Sequence, residues 1–223
     1  MRVAIVALDD LYLPRADRLR LAANVHPLFA TRGPPGTHDP ALGAEILRAL
    51  RAGSGALLPR FDKGSDDRLP RAAWTGLEGP FDLILFEGWC VGARPQPPAA
   101  LAAPVNALER LEDPQGTWRH YVNEALAGPY QALFAPIGFQ MLLLAPDFPT
   151  VLAWRSEQEE KLRAERPGAG QSDAELARFV QHYERLTRHI AREMPARADL
   201  VARLGPDRRP VAVERRPYST IAE

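Results

Sequence analysis

The chain has 223 residues, 46% of them hydrophobic and 25% charged, and its formal net charge is zero. That is the profile of an ordinary globule long enough for one sizeable α/β domain, and it removes the electrostatic case for a nucleic acid or an anionic membrane as partner. The single cysteine, Cys90, excludes an internal disulfide and fits a reducing cytosol. The N-terminal apolar stretch runs into Asp9 and Asp10 without a small-residue cleavage site, and the run Met141–Ala145 falls far short of the roughly 20 residues a membrane span needs. A cytoplasmic location is expected.

In chain order, the first predicted strand covers about residues 2–8 and a short helix follows near Ala16–Asn24. A rigid loop, Thr31–His38, leads to a helix with clear punctuation: Asp39 as N-cap, Pro40 at the first helical position and Gly53 past the end. Leu42, Ile46, Leu47 and Leu50 keep helical spacing, so one face of this helix packs on a sheet. Gly53-Ser54-Gly55 follows a helix and predicts a plain turn. A polar loop over Phe61–Arg68 precedes a strand at Phe81–Glu87, and the Pro- and Ala-rich residues 92–104 predict a surface loop. Helices are expected at 104–112 and 117–134, then a strand at Phe139–Ala145 and a long helix over 148–165. Pro167-Gly168-Ala169-Gly170 predicts a break. Ser172 and Glu175 form a capping box opening a helix to about Glu193, and Ala198–Leu204 and Val211–Glu214 read as closing strands. Strands alternating with helices predict a mostly parallel sheet flanked by helices, in a single domain over residues 1–223.

Two apolar strands end in carboxylates: Val3–Leu8 runs into Asp9-Asp10, and Leu83–Phe86 into Glu87. Unbroken apolar runs read as buried parallel strands, and α/β sheets hold their ligands beyond the carboxyl ends of such strands. An acid placed there is costly unless it is solvated, paired or holding a metal. Asp9 or Asp10 could accept a hydroxyl proton or hold magnesium through water, and neighbouring residues point apart, so at most one aims at a ligand. The competing reading is a turn that caps the next loop. Glu87 suits the position beside a nucleotide where magnesium or its water is held, against a plain turn start with Gly88 supplying the bend. Asp9 and Glu87 are therefore the candidate metal ligands.

The loop Gly33–His38 does not suit a phosphate cradle, because Pro34 and Pro35 carry no N–H. A stiff loop presenting Arg32, Thr37 and His38 suits a small anionic substrate. Lys63 and Arg68 could bind a carboxylate or phosphate, although Asp62, Asp66 and Asp67 also permit a surface salt-bridge loop. Arg155 and Arg163 lie close to one face of the long helix and could stabilise a reacting phosphate, or be solvated. Cys90 has no histidine placed near it in sequence and predicts a packed thiol. Trp118, Tyr121 and Tyr130 predict core.

Taken together, Asp9-Asp10-Leu11-Tyr12, His26-Pro27-Leu28, the loop Thr31–Asp39, Phe61-Asp62-Lys63, Phe86-Glu87-Gly88-Trp89, Trp118-Arg119, Trp154–Glu159 and His182–Thr187 resemble the P-loop D-glycerate 3-kinases of the plant type and their bacterial and fungal relatives. The resemblance implies a P-loop NTPase-like α/β fold with a helical lid near 148–192. It also implies transfer of the ATP γ-phosphate, with Mg2+, to a hydroxyl of D-glycerate or a similar small hydroxy acid. The residues do not fix the oligomeric state, and a monomer is favoured. The resemblance places Asp9 as base toward the acceptor hydroxyl, Glu87 on the magnesium side, Arg32, His38 and Lys63 on the substrate, and Arg155 in the lid. The motif G-x-x-x-x-G-K-[S/T] occurs nowhere in these residues, and neither Lys63 nor Lys161 follows a glycine loop. The family's first strand–loop–helix unit is thus absent from the sequence as it stands. Two expectations follow: a kinase whose start lies further upstream, with little ATP turnover by these residues alone, or a non-catalytic remnant that binds a metabolite or partner.

Overall fold

The computed structural model describes residues 1–165 and 170–216. Its strands are β1 (Val3–Ala7), β2 (Ala56–Leu58), β3 (Phe61–Asp62), β4 (Asp67–Arg68), β5 (Thr75–Leu77), β6 (Leu83–Glu87), β7 (Met141–Leu144), β8 (Leu200–Leu204) and β9 (Pro210–Arg215). Its helices are α1 (Arg15–Asn24), α2 (Pro40–Arg51), α3 (Ala107–Glu112), α4 (Thr117–Ala125), α5 (Gln131–Phe134), α6 (Phe148–Glu165) and α7 (Asp173–Glu193). The contacts divide the chain into one unit of residues 1–104 and 111–136 and another of 105–110 and 137–223.

In the first unit, β1 and β6 pair in parallel, with Val3 opposite Leu83 and Ala7 opposite Glu87. One face is closed: Ala4 and Val6 are buried, and Phe86 meets the ring of Phe134. α2 carries the predicted signals. Asp39 accepts from the Leu42 N–H at 3.1 Å, Pro40 opens the helix, and Ile46, Leu47 and Leu50 are buried. Gly43 is required on its inner side, where a Cβ would come within 2.7 Å of Leu11. The stretch 117–134 is helical as expected, but it is α4, one π-turn over Leu126–Tyr130 containing Pro129, and α5.

The other face of β1 and β6 differs from expectation. Unbroken apolar runs predict burial on both sides, yet Val3, Ile5, Leu83 and Leu85 are 40–58% exposed. The alternation of the pleat places all four on one side of a two-stranded sheet whose outer edges are unpaired among the described residues. The polar loop 61–68 also differs, because β3 and β4 pair there as a short antiparallel hairpin. β2 pairs antiparallel with β5, an element the sequence did not predict.

In the second unit β7 runs parallel to β8, and β9 returns antiparallel to β8. α7 opens with the predicted capping box, Ser172 and Glu175 each bonding the other's backbone N–H, and buries Leu176, Val180, Leu186 and Ile190. The Arg185 guanidinium holds the Glu109 carboxylate through two bonds of 2.7 and 2.6 Å, with both side chains buried. Met141, Leu143, Val211 and Val213 lie exposed. The predicted break at Pro167-Gly168-Ala169 lies outside the described residues. No helix among those described is long and apolar enough to cross a membrane.

Candidate active site

Parallel pairing sets the site. Because Ala7 lies opposite Glu87, the residues after β1 and the end of β6 leave the sheet at the same end. The chain after Ala7 tightens into a 3₁₀ turn, Leu8–Leu11, which buries Leu8 and Leu11 and carries Asp9 and Asp10. Gly88 allows the approach, since a Cβ there would lie 2.5 Å from the Leu8 Cβ. The two acidic strand ends read from the sequence thus belong to one locality.

The neighbouring aspartates have different partners, although they lie in a 3₁₀ turn and not on the alternating strand from which at most one was expected to face a ligand. The Asp10 carboxylate accepts from Arg60 Nη1 at 2.8 Å and from the Phe61 N–H at 3.0 Å, which ties it to the start of β3. Asp9 remains 41% exposed at its side chain and accepts from Lys63 Nζ at 2.7 Å and from the Tyr12 hydroxyl at 2.9 Å. Partial burial works to raise the Asp9 carboxyl, but the Lys63 ammonium and the Tyr12 hydroxyl outweigh it and hold the group below the ordinary carboxylate value. Glu87 is displaced the other way. Burial raises it first, and the negative charges of Asp9 and Asp10 add to that against the opposing pull of Lys63.

A strand-like zipper brings His38 to this turn. The Leu13 N–H donates to the Thr37 carbonyl at 2.9 Å, the Asp39 N–H donates to the Leu11 carbonyl at 2.8 Å, and Tyr12 and His38 form a β-bridge. The Tyr12 and His38 rings stack with centroids 4.5 Å apart. His38 is 3% exposed, and burial lowers its pKa to about 3 despite the nearby Asp9 charge, so it is neutral near pH 7.

The other predicted site residues are placed as follows. Thr37 is fully buried, donating to the Pro34 carbonyl at 2.8 Å and accepting from the Gly33 N–H at 3.0 Å, so its hydroxyl shapes the loop. Arg68 clamps the zipper by donating to the carbonyls of Tyr12 and Leu11 at 2.9 and 3.0 Å. Arg32 pairs with Asp66, which also receives the buried Arg18 guanidinium at 2.9 Å. Arg155 and Arg163 belong to the second unit, where Arg155 donates to Gln158 at 2.7 Å and Arg163 pairs with Asp173 at 3.1 Å. Cys90 is fully buried, and burial raises its thiol to about 12, which makes it a poor nucleophile.

Sequence reasoning missed three contributors: Tyr12 on Asp9, Arg60 on Asp10, and the Tyr130 hydroxyl, whereas Asp66, named there in a possible salt-bridge loop, does pair with two arginines. Asp66 also carries a local signal. It holds a left-handed backbone, φ 56°, which an Asp in a Gly-Ser-Asp-Asp turn tolerates.

No protein-family profile matches the chain. A fission-yeast protein, the uncharacterized kinase mug58 of Schizosaccharomyces pombe, is 34% identical over 186 residues, covering 79% of this chain and 66% of its own length. The chloroplastic D-glycerate 3-kinase of Arabidopsis thaliana is 34% identical over 190 residues, covering 81% of this chain and 39% of its own. The solved D-glycerate 3-kinase of Cryptococcus neoformans var. grubii superposes with a TM-score of 0.80 at 26% identity, over 96% of this chain and 80% of that one. The structure of the YGR205w protein shares the fold, with a TM-score of 0.79 at 24% identity, over 98% of this chain and 79% of that one. The chain therefore spans about two-thirds or less of these two curated relatives.

Proposed function

Because the chain belongs to the family of the D-glycerate 3-kinases and related kinases, we propose that its protein transfers the γ-phosphate of ATP to a hydroxyl of D-glycerate or a similarly small hydroxy acid. The observation that carries this is the meeting of Asp9 and Glu87 at one end of a parallel strand pair, with Lys63 on Asp9. Asp9 takes the acceptor's hydroxyl proton as the oxygen attacks phosphorus. In the resting site its basicity is held down by the Lys63 ammonium and the Tyr12 hydroxyl. An acceptor carboxylate competes with Asp9 for Lys63, and as the ammonium turns to the substrate Asp9 becomes the stronger base its task needs.

The residues fit magnesium. That ion keeps several waters and takes only one or two carboxylates, so a closed cage is not needed, and none of three or more His, Cys, Asp or Glu exists among the described residues. Burial first, and then the negative charges of Asp9 and Asp10, displace Glu87 upward, and a divalent cation would offset the part that comes from charge. Glu87 and Asp9 would hold it, and when bound it supplies charge neutralisation on the phosphates.

The triphosphate does not find its cradle here. The sequence contains no G-x-x-x-x-G-K-[S/T], and Pro34 and Pro35 deny the one rigid loop its N–H groups. We assign the cradle to sequence of the natural protein outside these residues. Support comes from the greater length of the relatives and from the bare edges and apolar face of β1 and β6. A coupled ADP-release assay with D-glycerate tests this: little or no turnover by the 223 residues, and turnover once the upstream coding sequence restores a glycine loop. Full turnover by the 223 residues refutes the assignment. The second reading, a remnant that binds a partner through the exposed Val3, Ile5, Leu83 and Leu85, gains if upstream sequence holds no such loop and no turnover appears.

A further inference from the structure

The family resemblance places His38 on the substrate but leaves unexplained why its ring is so closely held. Tyr130 is 1% exposed and lies in the π-turn between α4 and α5, and such turns cluster at functional sites. Its hydroxyl oxygen accepts from the Gly36 N–H at 3.0 Å and lies 2.6 Å from His38 Nδ1. Gly36 itself is required, with φ 102° and a would-be Cβ 3.0 Å from the Tyr121 ring.

Hydrogen counting then fixes the roles. A phenol has one hydrogen to give, and a buried hydroxyl that gives it to nothing is costly. Gly36 can only donate to Tyr130, so His38 Nδ1 is the sole recipient for that hydrogen among the described residues. We propose that Tyr130 is a positioning residue that fixes His38 as its Nε2–H tautomer, so that the loop offers the acceptor molecule a neutral hydrogen-bond donor instead of a base or a cation. His38 makes its ring hydrogen bond through Nδ1, and Nε2 is not among the buried polar atoms left without a partner, which leaves its N–H for an acceptor oxygen. Stacking on Tyr12, whose hydroxyl holds Asp9, ties the orientation of the ring to the base. This role for His38 toward substrate rests on the kinase reading; the tautomer does not.

The test reads the imidazole directly. In 15N-histidine-labelled protein at pH 7, with His38→Gln identifying the signals, His38 is expected to show a protonated Nε2 and a bare Nδ1, and a slowly exchanging Tyr130 hydroxyl proton close to Nδ1. An Nδ1–H tautomer or an imidazolium overturns the proposal with no variant of Tyr130 needed. In Tyr130→Phe the Nε2–H preference should relax toward a mixture. In the longer, cradle-bearing protein that variant should raise KM for the acceptor about tenfold and change kcat by less than threefold. An unchanged tautomer in Tyr130→Phe removes Tyr130 from the role. If the tautomer is as stated and no hydroxy acid is phosphorylated, the kinase reading fails while the assignment of Tyr130 stands.

Discussion

Lys63 Nζ lies 2.7 Å from Asp9 Oδ2 across 54 residues of sequence. The pair is largely exposed, with 62% of the Lys63 side chain open to solvent, so it adds little to stability. Its effect is on protons. Lys63 draws down the titration of both Asp9 and Glu87. In Lys63→Met both carboxyls should therefore titrate at higher pH than in the parent, as followed by carboxyl 13C shifts. With Lys63 in place Asp9 should stay ionised to a lower pH than a free aspartate and Glu87 should protonate earlier than a free glutamate. Unmoved titrations in the variant would show that Lys63 does not govern the site.

His38 gives the fold a pH dependence of defined sign. Buried neutral with a pKa of about 3, it binds its proton far less readily than in the unfolded chain, where the value is about 6.5. Between those values the unfolded state holds more protons, so stability falls as pH drops below about 6.5, at up to about 1.4 kcal/mol per pH unit. Denaturant unfolding at pH 8 and pH 5 should show about 2 kcal/mol of this loss, and His38→Gln should remove most of it. An equal loss in the variant would mean that other groups carry the acid sensitivity.

Gly88 joins the two acidic ends by contact. A methyl there meets the Leu8 Cβ at 2.5 Å, and Leu8 is 1% exposed and cannot turn aside freely. Gly88→Ala should cost about 1–3 kcal/mol in unfolding experiments. Because strain of this kind pushes Glu87 away from the Asp9 turn, the Glu87 titration should also drift toward that of a free glutamate. A variant as stable as the parent would show that the turn has room to shift.

Local chemistry was the legible part of the fold. Asp39, Pro40 and the spacing of Ile46, Leu47 and Leu50 specify α2 within one segment, and Ser172 with Glu175 does the same for α7. The carboxylates at Asp9 and Glu87 could be seen because each closes its own apolar run, and pairing β1 with β6 brought them to one end. Which of Asp9 and Asp10 stays open could not, because it depends on Arg60, just ahead of β3, and on Lys63, between β3 and β4, a hairpin that the polar stretch 61–68 hid. Thr37 and Arg68 carry the donors a substrate would want, yet carbonyls of Pro34, Leu11 and Tyr12 occupy them, and backbone carbonyls leave no mark in a sequence. The open face of β1 went unread for a related reason: Val3 and Ile5 are apolar in the run whether or not anything covers them.

The most direct measurement is phosphoryl transfer from γ-labelled ATP to D-glycerate by the longer protein proposed to carry a glycine loop, comparing the parent with Asp9→Asn. The substitution keeps the size of a half-exposed side chain, so the folded state should persist with its melting temperature nearly unchanged. Loss of the base should lower kcat by about 10²- to 10⁴-fold. An Asp9→Asn protein that phosphorylates glycerate at the parental rate would contradict the assignment of the site.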